Sequence, residues 1–234
     1  MGVYDNVMTV KEGMANAAVA AGRSLDKITL VAVSKTFDAP LINEAVKAGV
    51  YDIGENYVQE FLAKVSGIDK NAKIHFIGHL QSNKVKSIMG KVQCIQSCDR
   101  VSLAKEINKH AEKIGVVQNV LIEVNAAGEA AKSGVNISNA VEVALEIAEL
   151  QNIRVCGLMS IPPHFNNPAS TRPYFERLYN LFLDIESKKT DNSNIKMSVL
   201  SMGMSGDYKE AIKCGSTMVR VGTAIFGQRN YNNV

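Results

Sequence analysis

The sequence predicts an α/β fold, a single (β/α)8 barrel of the TIM type with an extra N-terminal helix. Eight short apolar runs rich in β-branched residues recur along the 234-residue chain, and helical patterns separate them. Most of these runs are apolar at every position, which is typical of parallel strands buried on both faces. The alternation of strand and helix indicates βαβ units. Barrels of this kind have about 250 residues, so we expect residues 1–234 to form one domain.

The predicted strands are the apolar runs themselves. They lie at residues 28–33, 50–53, 74–77, 92–95, 117–124, 153–159, 197–200 and 217–221. An open, doubly wound sheet is the alternative arrangement. It typically has fewer strands, and its first βα turn often carries glycines that bind a dinucleotide. The first turn here, SKTFDAP at residues 34–40, contains no glycine, which favours the barrel.

The predicted helices follow from apolar spacing and from signals at their ends. Residues 2–22 precede the first strand and are predicted to form a helix that could cap the bottom of the barrel. The next helix, 40–48, begins with Pro40 and ends before Gly49, the usual positions of these residues at helix termini. The longest predicted loop, 162–173, follows the sixth strand and could line or cover the mouth. The remaining helices are predicted at residues 101–114, 138–150, 174–187 and 207–213.

The composition argues against several classes of partner. The formal net charge is only +3 and no run of five or six basic residues occurs, so nucleic acid is not an expected partner. The four cysteines lack the spacing of a zinc site, and we expect free thiols in a reducing cytosol and no bound metal. The N-terminus lacks a signal-peptide pattern and no apolar run approaches 18 residues, so we expect a cytoplasmic protein without a membrane partner.

A lysine lies two residues after the end of the first predicted strand, in the sequence Ser34-Lys35-Thr36. Active sites in these barrels lie at the C-terminal ends of the strands, which is where Lys35 falls. Apolar walls around an ammonium group favour the free amine, the form that makes an imine with an aldehyde or ketone. The alternative is a lysine at the rim whose charged end reaches water. Its position alone leaves both interpretations open.

Two loops rich in serine and glycine follow the seventh and eighth predicted strands. Residues 201–207 read SMGMSGD and lead into a helix, and residues 220–223 read RVGT. Glycines let backbone N–H groups approach an anion, and barrels commonly bind phosphate with these two loops. Two ordinary capped turns are the alternative. Together with Lys35, the loops favour a phosphorylated aldehyde or ketone, either the substrate of a Schiff-base aldolase or pyridoxal 5'-phosphate (PLP).

Amide side chains follow the second and third predicted strands. Asn56 comes after the second, and Gln81 and Asn83 follow the third together with His79. Amides of this kind can hydrogen-bond a ring oxygen. Taken singly, each of these residues is more often part of a turn or cap.

Several longer motifs resemble the family of PLP homeostasis proteins, also called the YggS/PROSC family. They are ITLVAVSKT at 28–36, DIGENYVQE at 52–60, HFIGHLQSNK at 75–84, GLMSI at 157–161, LSMGMSGDYKEAI at 200–212 and VRVGTAIFG at 219–227. Lys132 and the SGV that follows it also look like the family's KSG segment. The resemblance extends from the first strand to the last. It implies the fold of the N-terminal barrel of alanine racemase, the fold-type III group of PLP-binding proteins.

The resemblance also implies roles for individual residues. Lys35 would carry PLP as a Schiff base, Arg220 would face the pyridine nitrogen, and Asn56 would contact the ring or its 3-oxygen side. The residues implied around the phosphate are Ser201, Gly203, Ser205, Gly222 and Thr223, of which Gly203 and Ser205 shape the loop. His79 lies at a permissive position of its motif, so no catalytic role is expected for it.

Two features favour a binding protein over an enzyme. The permanent charge of Arg220 would disfavour protonation of the pyridine nitrogen and weaken PLP as an electron sink. Racemisation also needs an acid–base group opposite Lys35, which in alanine racemase is a tyrosine supplied with a C-terminal domain; this sequence ends at Val234 and predicts no such domain. We therefore expect a monomer that acts in PLP homeostasis without robust catalytic activity and whose partners include PLP-dependent apoenzymes. A fold-type III amino-acid racemase is the alternative.

Overall fold

The computed structural model describes residues 2–128, 133–163, 165–190 and 194–228, and parallel strands form its centre. In chain order the strands are β1 (Thr29–Val33), β2 (Asp52–Glu55), β3 (Lys73–Phe76), β4 (Cys94–Cys98), β5 (Gln118–Asn125), β6 (Val135–Asn136), β7 (Ile153–Met159), β8 (Ile195–Ser201) and β9 (Met218–Val221). Lys132, which looked like part of a family motif, lies outside the described residues.

Eight of these strands form a closed ring. Each pairs in parallel with its neighbour in the order β1, β2, β3, β4, β5, β7, β8, β9, and β9 pairs with β1. The two-residue strand β6 adds to the edge of β5 and takes no part in the ring. The predicted barrel is therefore confirmed, and the open doubly wound sheet is excluded because the ring closes.

Helices surround the barrel. They are α1 (Val3–Ala20), α2 (Ala39–Lys47), α3 (Val58–Lys64), α4 (Val85–Ile88), α5 (Val101–Lys113), α6 (Ala140–Ala148), α7 (Arg172–Lys188), α8 (Tyr208–Lys213) and α9 (Thr223–Phe226). Of these, α3, α4 and α9 were not predicted. The predicted loop 162–173 contains a helical turn at Pro168–Thr171, and α7 begins directly after it.

The N-terminal helix exists as predicted, but its expected position beneath the barrel is wrong. Helix α1 packs beside α8, α9 and α2 in the outer layer. The side chain of Asn6 donates to the carbonyl of Ile225, and Lys11 donates to that of Ala48. The helix after β9 has only four residues. Helix α1 therefore covers the side of the barrel where a full-length eighth helix would otherwise lie.

Two predicted strands lie further along the chain than expected. The structure places β2 two residues beyond the start of the predicted run at 50–53, and β4 two residues beyond the start of 92–95. Both strands end in buried polar residues, among them Glu55, Gln96 and Ser97. A search for apolar runs stops before such residues, although the folded protein buries them.

Most of the buried apolar residues form one continuous cluster between the barrel and the helices. A smaller cluster of Cys94, Leu121 and Met159 lies apart from it. In the described part of the chain, no helix is both long and apolar enough to cross a membrane.

Candidate functional site

A pocket of about 210 Å³ opens at the carboxyl ends of the barrel strands, beside β1, β2, β8 and β9. Six of the residues singled out in the sequence line it: Lys35, Asn56, Ser205, Arg220, Gly222 and Thr223. The sequence reasoning missed the rest of the described lining: Val33, Phe37, Ile77, Ile161, Met204, Gly206 and Gly227. Five of these missed residues have apolar side chains, which suits a pocket for a flat ring.

Lys35 stands in a tight turn that is held from behind by another lysine. The N–H of Phe37 donates to the carbonyl of Ser34 at 3.0 Å and closes the turn around Lys35. Lys64, on α3, donates its ammonium to the carbonyls of Ser34 and Phe37 at 3.0 and 2.9 Å. The two carbonyls that flank the turn are therefore fixed by one buried charge.

The charge of Lys64 is balanced by two carboxylates. Its Nζ lies 3.0 Å from Oε1 of Glu55 and 2.6 Å from Oε1 of Glu60. Glu55 is fully buried, and burial raises the pKa of its carboxyl, while Lys64 and the hydroxyl of Ser34 oppose that shift. Glu60 also accepts the backbone N–H of Thr36 at 2.6 Å. This cluster, which the sequence reasoning missed, shapes the backbone that carries Lys35.

Arg220 lies within β9, inside the predicted strand at 217–221, and its side chain is buried at the wall of the pocket. Its guanidinium donates to the carbonyl and the hydroxyl of Ser201 at 2.8 and 2.7 Å, and to the carbonyl of Ser160 at 2.9 Å. Burial lowers the pKa of Arg220 to about 10, and the charges of Glu123 and Asp207 oppose the shift. The side chain is therefore still a cation at neutral pH.

Ser201 and Gly203 are not among the described residues that line the pocket. The hydroxyl of Ser201 is fully buried and engaged with Arg220 and with Gln96, whose Oε1 it meets at 2.7 Å. Gly203 has a φ of +93°, and a Cβ there would lie 2.9 Å from the Cα of Tyr208. In this arrangement Ser201 supports Arg220, and Gly203 lets its loop pack against α8.

The remaining residues of the two predicted phosphate loops meet at one end of the pocket. Ser205 accepts the backbone N–H of Ala224 at 3.3 Å, which ties the loop after β8 to the start of α9. A Cβ on Gly222 would lie 3.2 Å from the carbonyl oxygen of Val33, so glycine permits the close approach to β1. A Cβ on Gly206 would meet nothing within 4 Å. Hydroxyls and backbone donors here surround an open space, which suits an anionic group.

The side-chain amide of Asn56 lies in the pocket wall, and its oxygen can accept a hydrogen bond from a ligand. Its Oδ1 is buried and meets no hydrogen-bond donor among the described residues. Buried polar atoms are almost always paired, so this amide suits a polar group on a bound ring. His79, in contrast, is mostly exposed, lies 3.5 Å from Asp99 and is not part of the described pocket lining.

Comparison with known proteins gives a consistent result. Residues 13–230 match the family described as the N-terminal domain of alanine racemase. A pyridoxal phosphate homeostasis protein of Aquifex aeolicus is 44% identical over 232 residues, which cover 99% of this chain and 100% of the relative.

Solved structures agree with this comparison. PipY of Synechococcus elongatus, solved with PLP bound, has a TM-score of 0.78 and 28% identity, and the match covers 92% of this chain and all of PipY. Alanine racemase of Clostridium difficile has a TM-score of 0.69 at 18% identity. The match covers 98% of this chain and 58% of the racemase, and it bears on the fold alone.

Proposed function

The chain belongs to the family of pyridoxal phosphate homeostasis proteins, and we propose that it takes part in PLP homeostasis by holding PLP as a Schiff base on Lys35. The observation that carries this proposal is the pocket itself. It joins the amine of Lys35, the paired loops at Ser205 and Gly222, and the cation of Arg220 around one cavity. The PLP-bound state of PipY, a structural relative, supports the choice of ligand.

Different residues of the pocket would bind different parts of PLP. When bound, PLP supplies an aldehyde that can form an imine and a ring that can accept electrons. Lys35 offers the amine, while Ser205, Gly222 and Thr223 offer hydroxyl and backbone donors to the phosphate. The amide of Asn56 accepts or donates at a ring substituent. The apolar side chains around it exclude water from the ring.

Arg220 supports a binding role over electron-sink chemistry. Its cation, held by three hydrogen bonds, opposes a second positive charge on the pyridine nitrogen. The alternative, an amino-acid racemase, needs a proton donor on each face of the ring. Among the described residues of the pocket lining, only Lys35 and Arg220 ionise as side chains, and Arg220 stays charged at neutral pH.

A spectrum of the purified chain with added PLP tests the proposal. We expect the wild type to turn yellow and, after reduction with borohydride, to carry the cofactor on the peptide that contains Lys35. Lys35→Ala should lose both signals. Lys47→Ala, at an exposed lysine of α2, should keep both and controls for unspecific reaction of surface lysines. A colourless wild type, or a yellow Lys35→Ala, would refute the assignment.

The same preparation separates the homeostasis role from the racemase. A binding protein should exchange the α-hydrogen of amino acids with solvent slowly or not at all. Exchange at about 1 per second or faster, a rate typical of enzymes, would favour the racemase.

We further propose that the protein is a cytoplasmic monomer that supplies PLP to PLP-dependent apoenzymes. All four cysteines are free thiols, which supports a reducing compartment. The pocket is open at the barrel mouth, which supports exchange of a bound cofactor with other proteins.

A further inference from the structure

A chain of hydrogen bonds runs through the barrel interior from its floor to the pocket. Nη1 of Arg220 lies 2.7 Å from Oγ of Ser201, and that oxygen lies 2.7 Å from Oε1 of Gln96. Nε2 of Gln96 lies 3.0 Å from Nδ1 of His75. Nε2 of His75 lies 2.8 Å from Oδ1 of Asp52. The five residues come from five different strands, β2, β3, β4, β8 and β9.

The orientation of the Gln96 amide, with its oxygen towards Ser201 and its nitrogen towards His75, sets the direction of the bonds in this chain together with its two ends. A guanidinium can only donate and an ionised carboxylate can only accept. Arg220 therefore donates to Ser201, whose hydroxyl must donate to the amide oxygen of Gln96. The amide nitrogen of Gln96 then donates to Nδ1 of His75, and Nε2–H of His75 donates to Asp52. This order requires a neutral imidazole with its proton on Nε2.

Burial makes each link of the chain costly to lose. The side chains of Gln96 and Ser201 are fully buried, and those of His75 and Arg220 nearly so. The amide nitrogen of Gln96 also faces Sδ of Met218 at 3.2 Å, a second acceptor that supports its orientation. A buried donor that loses its acceptor cannot form a hydrogen bond to water instead. The loss of one bond in the chain should therefore also disturb the bonds of the next residue.

We propose that Gln96 and His75 are positioning residues for the PLP pocket, which act through Ser201 to hold the guanidinium of Arg220 in one orientation. The inference rests on the proposed function, because it is PLP that Arg220 faces. Neither Gln96 nor His75 lines the pocket among the described residues. Gln96 is the central link, since its amide joins the floor to Ser201 and has one orientation that satisfies both neighbours.

The first measurement tests the chain without PLP. In the wild type, 15N NMR should find His75 neutral, with Nε2 protonated and Nδ1 unprotonated and hydrogen-bonded. A proton on Nδ1 at neutral pH would contradict the direction of the chain and overturn the inference.

The second measurement tests the effect on the pocket. Gln96→Leu should weaken PLP binding by about tenfold, the upper end of what one neutral hydrogen bond contributes, and should shift the visible absorption of the bound cofactor. Gln118→Leu is the matched control, because among the described residues the side chain of this buried glutamine of β5 donates to backbone carbonyls, of Gln93 and Asn119. It should leave PLP affinity and the absorption band unchanged.

A third variant keeps the test conclusive if Gln96→Leu does not fold. Gln96→Glu can accept from Ser201 but cannot donate to His75. His75 should then become an imidazolium in the 15N spectrum, because a carboxylate at position 96 offers Nδ1 only an acceptor. An unchanged neutral His75 in this variant would contradict the proposed chain.

The outcomes separate the two proposals. If the wild type takes up no PLP, the proposed function fails and this inference fails with it. If the wild type binds PLP through Lys35 and Gln96→Leu binds it equally well with the same absorption band, only the inference is overturned.

Discussion

Thr36, the residue after Lys35, has a strained backbone. Its φ of +71° makes it the one non-glycine residue with positive φ among those described. A β-branched residue in this region costs about 1–3 kcal/mol. The conformation persists because Glu60 accepts the N–H of Thr36 and because Lys64 binds the carbonyls on either side of the turn. The direction of the Lys35 side chain thus depends on a backbone that would not adopt this shape unaided.

Replacing Thr36 by glycine should release this strain. We expect Thr36→Gly to raise the free energy of unfolding by about 1 kcal/mol, because the relief of strain exceeds the entropy that glycine adds to the unfolded chain. Thr36→Val keeps the branched Cβ and should show no such gain. Urea unfolding of the PLP-free proteins measures the difference, and equal stabilities of the glycine and valine variants would argue against strain at this position.

At the scale of elements, helix α3 connects the core to the Lys35 turn. Its Lys64 is only 9% exposed and its partner Glu55 is fully buried. Removing one partner of a buried ion pair leaves an uncompensated charge and typically costs about 3–5 kcal/mol. The same ammonium holds both carbonyls of the turn. Stability and PLP binding should therefore respond together to a change at Lys64.

Lys64→Met should lower the free energy of unfolding by about 3 kcal/mol and weaken PLP binding. Adding Glu55→Gln should recover most of the stability, because the buried charge is then gone, but not the affinity, because the carbonyls of the turn remain without their donor. Lys47→Met, on the exposed surface of α2, is the control. Chemical unfolding and PLP titration of the wild type, Lys64→Met, the double variant and Lys47→Met measure the stability and the PLP affinity of each protein. Full recovery of PLP affinity in the double variant would show that α3 acts only on stability.

Much of the element order could be predicted, and the exceptions have physical causes. Helix α3 has seven residues and α9 has four, too few for an apolar stripe to distinguish a helix from a loop. The position of Lys35 at the pocket could be predicted because it lies just after an apolar strand. The orientations of Ser201 and Arg220 could not, because which face of a strand points inward depends on its register with both neighbours.

At the scale of the whole molecule, the barrel combines an apolar outer layer with a partly polar interior. Eight polar or charged side chains are buried on the barrel strands: Glu55, His75, Gln96, Ser97, Gln118, Glu123, Ser201 and Arg220. The apolar residues pack between strands and helices and provide the hydrophobic core. This division explains why apolar runs were sufficient to predict the barrel. It also explains why the predicted apolar runs did not include the polar residues that support the pocket.

The buried thiols make the stability of the whole fold sensitive to alkaline pH. Cys98, at the end of β4, is fully buried, and burial raises its pKa to about 12, with the charge of Asp99 acting in the same direction. In the unfolded chain the thiol titrates near its ordinary value of 9.0. Because the folded pKa is the higher one, this contribution to stability is fully present below pH 9 and is lost as the pH rises towards 12.

At pH 10 the loss from Cys98 alone should reach about 1.4 kcal/mol. Cys98→Ala removes the thiol and leaves a small cavity, so it should be less stable than the wild type at pH 7. From pH 8 to pH 10, however, it should lose about 1.4 kcal/mol less than the wild type does, because its side chain carries no proton to release. Urea unfolding under reducing conditions at several pH values measures how the free energy of unfolding of each protein changes with pH. Parallel slopes for the two proteins would mean that Cys98 ionises as readily in the folded protein as in the unfolded chain.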